Sequence, residues 1–111
     1  MGCIGGFYKN YDKCLYYLKQ YNTLISTKNY NEKTEQEKFV IISNSNFYKK
    51  KINETLQKMN KEAKYRSQSK QLIELNEIYQ NFLSKESYRN KTQEINDNNA
   101  QPKVNNFLNL N

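Results

Sequence analysis

Apolar side chains recur along the first quarter of the chain at helical intervals. Phe7, Tyr11, Cys14, Leu18, Tyr21 and Ile25 are separated alternately by four and three positions, which places them on one face of an α-helix, and Leu15 widens that face. Lys9, Lys13 and Gln20 fall opposite, and Tyr16 projects from the polar side. The pattern predicts an N-terminal amphipathic helix over about residues 7–26. Cys14, inside the stripe, reads as a small buried hydrophobe rather than a nucleophile.

The periodicity stops over residues 27–34, Thr-Lys-Asn-Tyr-Asn-Glu-Lys-Thr, which reads as a loop. Thr34 followed three positions later by Glu37 matches a capping box, so a second helix is expected to start there. Phe39-Val40-Ile41-Ile42 is compatible with a helix or with a short buried strand. The cap, together with the lack of an obvious pairing strand, favours helix. Ser43-Asn44-Ser45-Asn46 are four weak helix formers whose side chains compete for backbone hydrogen bonds, and a kink or break is expected at that point.

From Phe47 the helical pattern resumes, with Ile52, Leu56, Met59 and Ala63 as a narrow apolar seam. Lys50, Lys51, Lys58, Lys61 and Lys64 fall on the opposite side, with Glu54 the one acid among them. Arg66-Ser67-Gln68-Ser69 offers a turn and a new serine cap. A third helix then carries Leu72, Leu75, Tyr79, Phe82 and Leu83 inward, with Ile78 broadening its face. Short connections give antiparallel neighbours, so residues 47–66 and 70–92 are expected to form an αα-hairpin, with the first helix packed across it. The fold class is therefore all-α, a small three-helix arrangement.

Beyond residue 95 the chain is rich in Asn, and Pro102 would interrupt any helix. Val104, Phe107, Leu108 and Leu110 form a small apolar cluster there. Residues 96–111 are expected to be a flexible tail, free to fray or to dock on a partner. The organisation read from the sequence is a short N-terminal segment (1–6), one helical domain (7–95) and this tail.

Composition bounds what such a domain can do. With 111 residues there is room for one modest core and little for an elaborate active site. Leu, Ile, Val and Phe number 24, about 22% of the chain, close to the level of roughly 20% below which charged chains stay disordered. Ten tyrosines add apolar area that offsets the shortage. The net charge of +7 favours anionic partners: phospholipid, nucleic acid or an acidic protein surface. Most of it is in residues 49–70, where eight Lys and Arg face two Glu.

The chain opens Met1-Gly2-Cys3-Ile4-Gly5-Gly6. Gly2, exposed by removal of Met1, can accept an amide-linked myristoyl chain, and Cys3 beside it can take palmitate by thioester. The start resembles those of Src-family kinases and many G-protein α subunits, which carry lipid at a Met-Gly-Cys terminus. The resemblance covers three residues and implies lipid attachment at Gly2 and Cys3 alone. The acylation motif takes Ser or Thr at position 6, where this chain has Gly6. No secretory signal or apolar run of about 18–20 residues is present, so a reducing, intracellular setting is expected, with any membrane contact made by lipid or surface adsorption.

Other chemistry is sparse. The absence of histidine removes the commonest general base and metal ligand. Asp12 and Asp97 are the only aspartates, the nine glutamates form no paired constellation, and the two cysteines match no metal pattern. No catalytic residue, cofactor or metal site is assigned. Two arginines, Arg66 and Arg89, are few for reading bases or phosphates. The expectation is a small non-enzymatic adaptor on the cytoplasmic face of a membrane. It would be held by acyl chains at Gly2 and Cys3, by the anion-facing lysines Lys50, Lys51, Lys58, Lys61 and Lys64, and would meet a protein partner through its helices or tail. The alternative is a soluble basic protein that binds nucleic acid or joins a larger assembly. A basic helix also suits an acidic regulator of the calmodulin type.

Overall fold

The computed structural model describes the backbone from Gly2 to Asp97 and the side chains of residues 6–91. Three helices account for nearly all of it: α1 (Gly2–Ile25), α2 (Glu35–Glu62) and α3 (Arg66–Asp97). A single turn of 3-10 helix, Tyr30–Glu32, lies between α1 and α2, and there is no strand among the described residues. The all-α reading holds. The expected tail beyond Asp97, and the side chains of Gly2 and Cys3, lie outside the described residues.

The buried side chains are those that the periodicity selects. Phe7, Cys14, Leu18, Tyr21 and Ile25 of α1 meet Ile52, Leu56 and Met59 of α2 and Leu72, Leu75 and Tyr79 of α3 in one cluster. Tyr11, Ala63, Phe82 and Leu83 pack at its margin. Leu15 and Ile78, assigned to the edges of their stripes, are exposed. Polar contacts fix the directions of the helices. Asn10 meets Glu62, so α1 and α2 are antiparallel. Asn53 meets Tyr79 and Lys49 meets Glu86, so α2 and α3 are antiparallel and α1 and α3 run the same way. The α2–α3 hairpin is present, but the most extensive helix contact is between α1 and α2. The wide stripe of α1 buries large rings there, whereas the seam of α2 is narrow.

Four features differ from the sequence reading. The kink or break expected at Ser43–Asn46 is absent, and α2 is continuous for 28 residues. Ser45 is buried, and its hydroxyl donates to the Ile41 carbonyl one turn back at 2.8 Å. Its hydrogen bond is thus made within the helix, while Ser43, Asn44 and Asn46 face solvent. The second difference is at the N-terminus, where α1 begins at Gly2 rather than near residue 7. A Cβ at Gly6 would stand 2.9 Å from Glu62 Oε2, the movable end of that side chain, so this turn of α1 lies beside the end of α2. Third, α3 begins at Arg66 and runs to Asp97, beyond the expected 70–92. No serine caps it; Gln68 Oε1 instead accepts from the backbone N–H groups of Lys64 and Tyr65, at 2.8 and 3.2 Å. Fourth, the loop holds a buried residue, Tyr30.

The capping box forms as read. Thr34 Oγ1 accepts from the Glu37 N–H at 3.1 Å, and Glu37 Oε1 accepts from the Thr34 N–H at 3.0 Å. Thr34→Ala removes one half of this exchange and should cost about 1 kcal/mol. In a domain of this size the melting midpoint should fall by roughly 4–8 °C. A midpoint within about one degree of the parent would mean that α2 starts without help from Thr34.

Candidate functional site

Lys50, Lys58 and Lys61 are exposed on α2, and Lys64 is exposed just past its end. Lys51 is half-buried: its ammonium lies 3.8 Å from Glu54 Oε1 and 5.5 Å from the centre of the Phe47 ring. The core residues Ser45, Ile52, Leu56 and Met59 occupy the opposite side of the helix, so packing against α1 and α3 turns the lysines outward. Lys58, Lys61 and Lys64 lie at the end of α2 that meets the start of α1. Gly6 approaches the Glu62 side chain there, and Asn10 Nδ2 donates to Glu62 Oε1 at 2.9 Å. Lys9, Lys13, Arg66 and Lys70 are exposed near the same end. Of the acids at this end, Glu62 is engaged by Asn10, and Asp12 is exposed between Lys9 and Lys13. Lys50 stands more than two turns back along α2, so the five lysines form a stripe rather than a pocket.

The molecule's centre is polar in one place. Tyr21 is fully buried, and its hydroxyl donates to Glu86 Oε1 at 2.6 Å. The same oxygen accepts from Lys49 Nζ at 3.0 Å, so one carboxylate ties all three helices together. Burial, and then the adjacent Glu86, push the Tyr21 hydroxyl far above its ordinary pKa. Tyr79 is raised for the same first reason, against a hydrogen bond from Asn53 that lowers it. Burial also raises the Cys14 thiol, opposed by its hydrogen bond with Thr55. A thiol held neutral is a poor nucleophile, in keeping with the reading of Cys14 as a core residue. These groups are sealed inside the helices, and their neutral forms are the stable ones.

A second cluster closes the corner between α1 and α2. The Arg89 guanidinium lies 3.8 Å above the Tyr30 ring, and its Nη1 donates to the Leu24 carbonyl at 3.1 Å. Nε and Nη2 of Arg89 are buried without hydrogen-bond partners, and the ring face supplies their electrostatic compensation. Lys85 Nζ donates to Ser26 Oγ at 2.7 Å. Lys38 Nζ lies 5.7 Å from the centre of the same ring. Tyr30 thus holds the loop to α3 and α2.

Several of these features escape sequence reading. Glu86 has no flanking signal, because nothing local marks which of nine glutamates faces inward. Tyr30 sits in a segment without periodicity. Phe39, Val40 and Phe47 are 70%, 54% and 51% exposed. Phe39 and Val40 belong to an apolar run that periodicity does not assign to a face, and Phe47 follows the Ser43–Asn46 stretch. Among the described residues no group of His, Cys, Asp and Glu could hold a metal ion, and no helix is long and apolar enough to cross a membrane. Comparison with protein families, with characterised proteins and with solved structures finds no match for this chain.

Proposed function

We propose that this protein is a small non-enzymatic helical adaptor held on the cytoplasmic face of a membrane. Myristate on Gly2 and palmitate on Cys3 supply the lipid, and the lysine stripe of α2 faces the anionic leaflet. The observation that carries this reading is the approach of Gly6 to Glu62. It brings the start of α1 to the end of α2 that bears Lys58, Lys61 and Lys64. A chain acylated at Gly2 therefore presents its lipid and much of its positive charge at one end. One myristoyl chain gives only marginal binding, so stable residence takes a second signal. Each lysine near an anionic leaflet is worth about 1 kcal/mol, and a group of them rivals an acyl chain.

Intact mass of the protein from its own cells tests the lipid directly. The expected species lacks Met1 and carries myristate, with a fraction holding a hydroxylamine-labile acyl group on Cys3. An unmodified N-terminus on most molecules would remove the adaptor reading and leave the nucleic-acid or assembly reading in its place. The lysines are tested on a myristoylated Cys3→Ser form. It should leave anionic vesicles as ionic strength rises, because screening shortens the reach of each charge. Replacing Lys50, Lys51, Lys58, Lys61 and Lys64 by Gln should abolish that salt-sensitive part without changing helix content. Unchanged binding would assign those lysines to solubility alone.

A further inference from the structure

We infer that Phe39, Val40 and Phe47, on the outer face of α2, form an apolar contact that inserts into the interfacial layer of an anionic phospholipid surface. The inference deepens the proposed membrane role and rests on it, but it does not depend on an acyl chain.

The three side chains are among the most exposed large apolar groups in the molecule. At about 100° per residue they fall within an arc of about 120°, together with Lys50, Lys51, Lys58 and Lys61. The centre of that arc lies roughly opposite the buried residues Ser45, Ile52, Leu56 and Met59. No part of α1 or α3 can cover it while the core is intact. The uninterrupted course of α2 through Ser43–Asn46 makes this one surface: a break there would have turned Phe39 and Val40 away from the lysines. Phe39 and Lys61 are about 33 Å apart along the axis, with the phenylalanines toward one end and Lys58 and Lys61 toward the other. Glu54 is the acid within the arc, and it stands 3.8 Å from Lys51.

Charge complementarity selects the occupant. Exposed phenylalanines followed by lysines along one side of a helix suit the boundary between headgroups and acyl chains. There the rings enter the apolar layer and the ammonium groups stay among phosphates. Lys51, 5.5 Å from the Phe47 ring centre, can remain at headgroup depth while that ring goes deeper. The surface is a convex ridge, without the concave pockets that anchor aromatic side chains in protein interfaces.

The chain has no tryptophan, so Phe47→Trp provides a single reporter. The experiment uses the full-length chain carrying Gly2→Ala, which cannot be myristoylated. It is mixed with vesicles of phosphatidylcholine alone, or with phosphatidylserine added. The expected result is a blue shift of Trp emission with the anionic vesicles and none with phosphatidylcholine. In the chain without the tryptophan reporter, the triple change Phe39→Ser, Val40→Ser and Phe47→Ser should weaken anionic-vesicle binding about tenfold or more. Circular dichroism should stay unchanged, because these side chains lie outside the core. Binding without an emission shift, or equal binding by the triple variant, would overturn the proposal. So would emission already blue-shifted without vesicles, which would mean that a second copy or the chain's own residues 98–111 cover the face. So would vesicle-free capture of an acidic peptide abolished by the triple change. Because the chain is unacylated, failure here leaves the acylation reading standing. A native N-terminus free of lipid would remove that reading while leaving this result intact.

Discussion

Replacing Tyr21 with alanine should destabilise the fold by about 3–5 kcal/mol, read as a shift in the denaturant midpoint. The ring is fully buried and lies 6.2 Å, centre to centre, from both Tyr79 and Phe82 in edge-on arrangements. Its loss opens a cavity where the three helices converge. It also leaves Glu86 Oε1, on a buried side chain, with Lys49 in place of the Tyr21–Lys49 pair that it accepts from in the parent. A domain of this size has a total stability on the order of 5–15 kcal/mol, so the variant should lose a large fraction of it. Tyr21→Phe separates the two contributions. It keeps the ring and deletes one hydrogen bond to a charged group, at about 1.5–3 kcal/mol. If the phenylalanine variant proved as unstable as the alanine variant, the carboxylate rather than the ring packing would hold this junction. A cost under about 0.5 kcal/mol for alanine would mean that Tyr21 is not at the centre of the core.

The second large effect is loss of stability in alkali. Tyr21, Tyr79 and Cys14 all have pKa values raised by folding above their ordinary values of 10.0, 10.0 and 9.0. The sign follows from proton counting. Above pH 9 the unfolded chain releases these protons while the native state keeps them, so the unfolded state binds fewer protons and stability falls as pH rises. The contribution is complete below pH 9 and is lost as pH climbs through 10 and beyond. Each group that ionises only on unfolding adds a slope of at most about 1.4 kcal/mol per pH unit. Denaturation midpoints measured between pH 8 and 11 should therefore drop with increasing steepness. Tyr21→Phe should flatten the curve, because the most strongly shifted group is gone. A flat profile in the parent protein up to pH 11 would contradict the burial of these hydroxyls.

Much of this fold was legible because its helices carry ordinary signals. The four-three spacing from Phe7 to Ile25 identifies the buried face of α1, and the Thr34–Glu37 pair marks the start of α2. The misplaced break at Ser43–Asn46 arose where a local preference met a tertiary contact. Four weak helix formers cannot interrupt a helix whose Ser45 is packed inside and bonded to its own backbone. The N-terminal boundary was missed for a similar reason. Gly5 and Gly6 signal a flexible start, but Gly6 is where α1 approaches Glu62. Within the candidate site, outward lysines follow from the position of the apolar seam. The exposure of Phe39 and Val40 does not, because a run of four apolar residues does not mark which of them faces the core. Glu86 and Tyr30 acquire their roles only when residues dozens of positions apart are brought together.

The parallel course of α1 and α3 also bears on the order in which the chain assembles. Two helices that run the same way cannot be joined by a tight turn, so the whole of α2 serves as their crossover connection. The pairs Tyr21–Glu86 and Leu24–Arg89 each close a loop of 65 positions, whereas α1 and α2, or α2 and α3, meet across short turns. Closing a long loop costs entropy before any contact compensates for it. The antiparallel pairs are therefore favoured early in folding, and the contacts between α1 and α3 late. Tyr21, Glu86 and Arg89 act as a final clasp, and contacts made after the folding barrier are those that hold back unfolding.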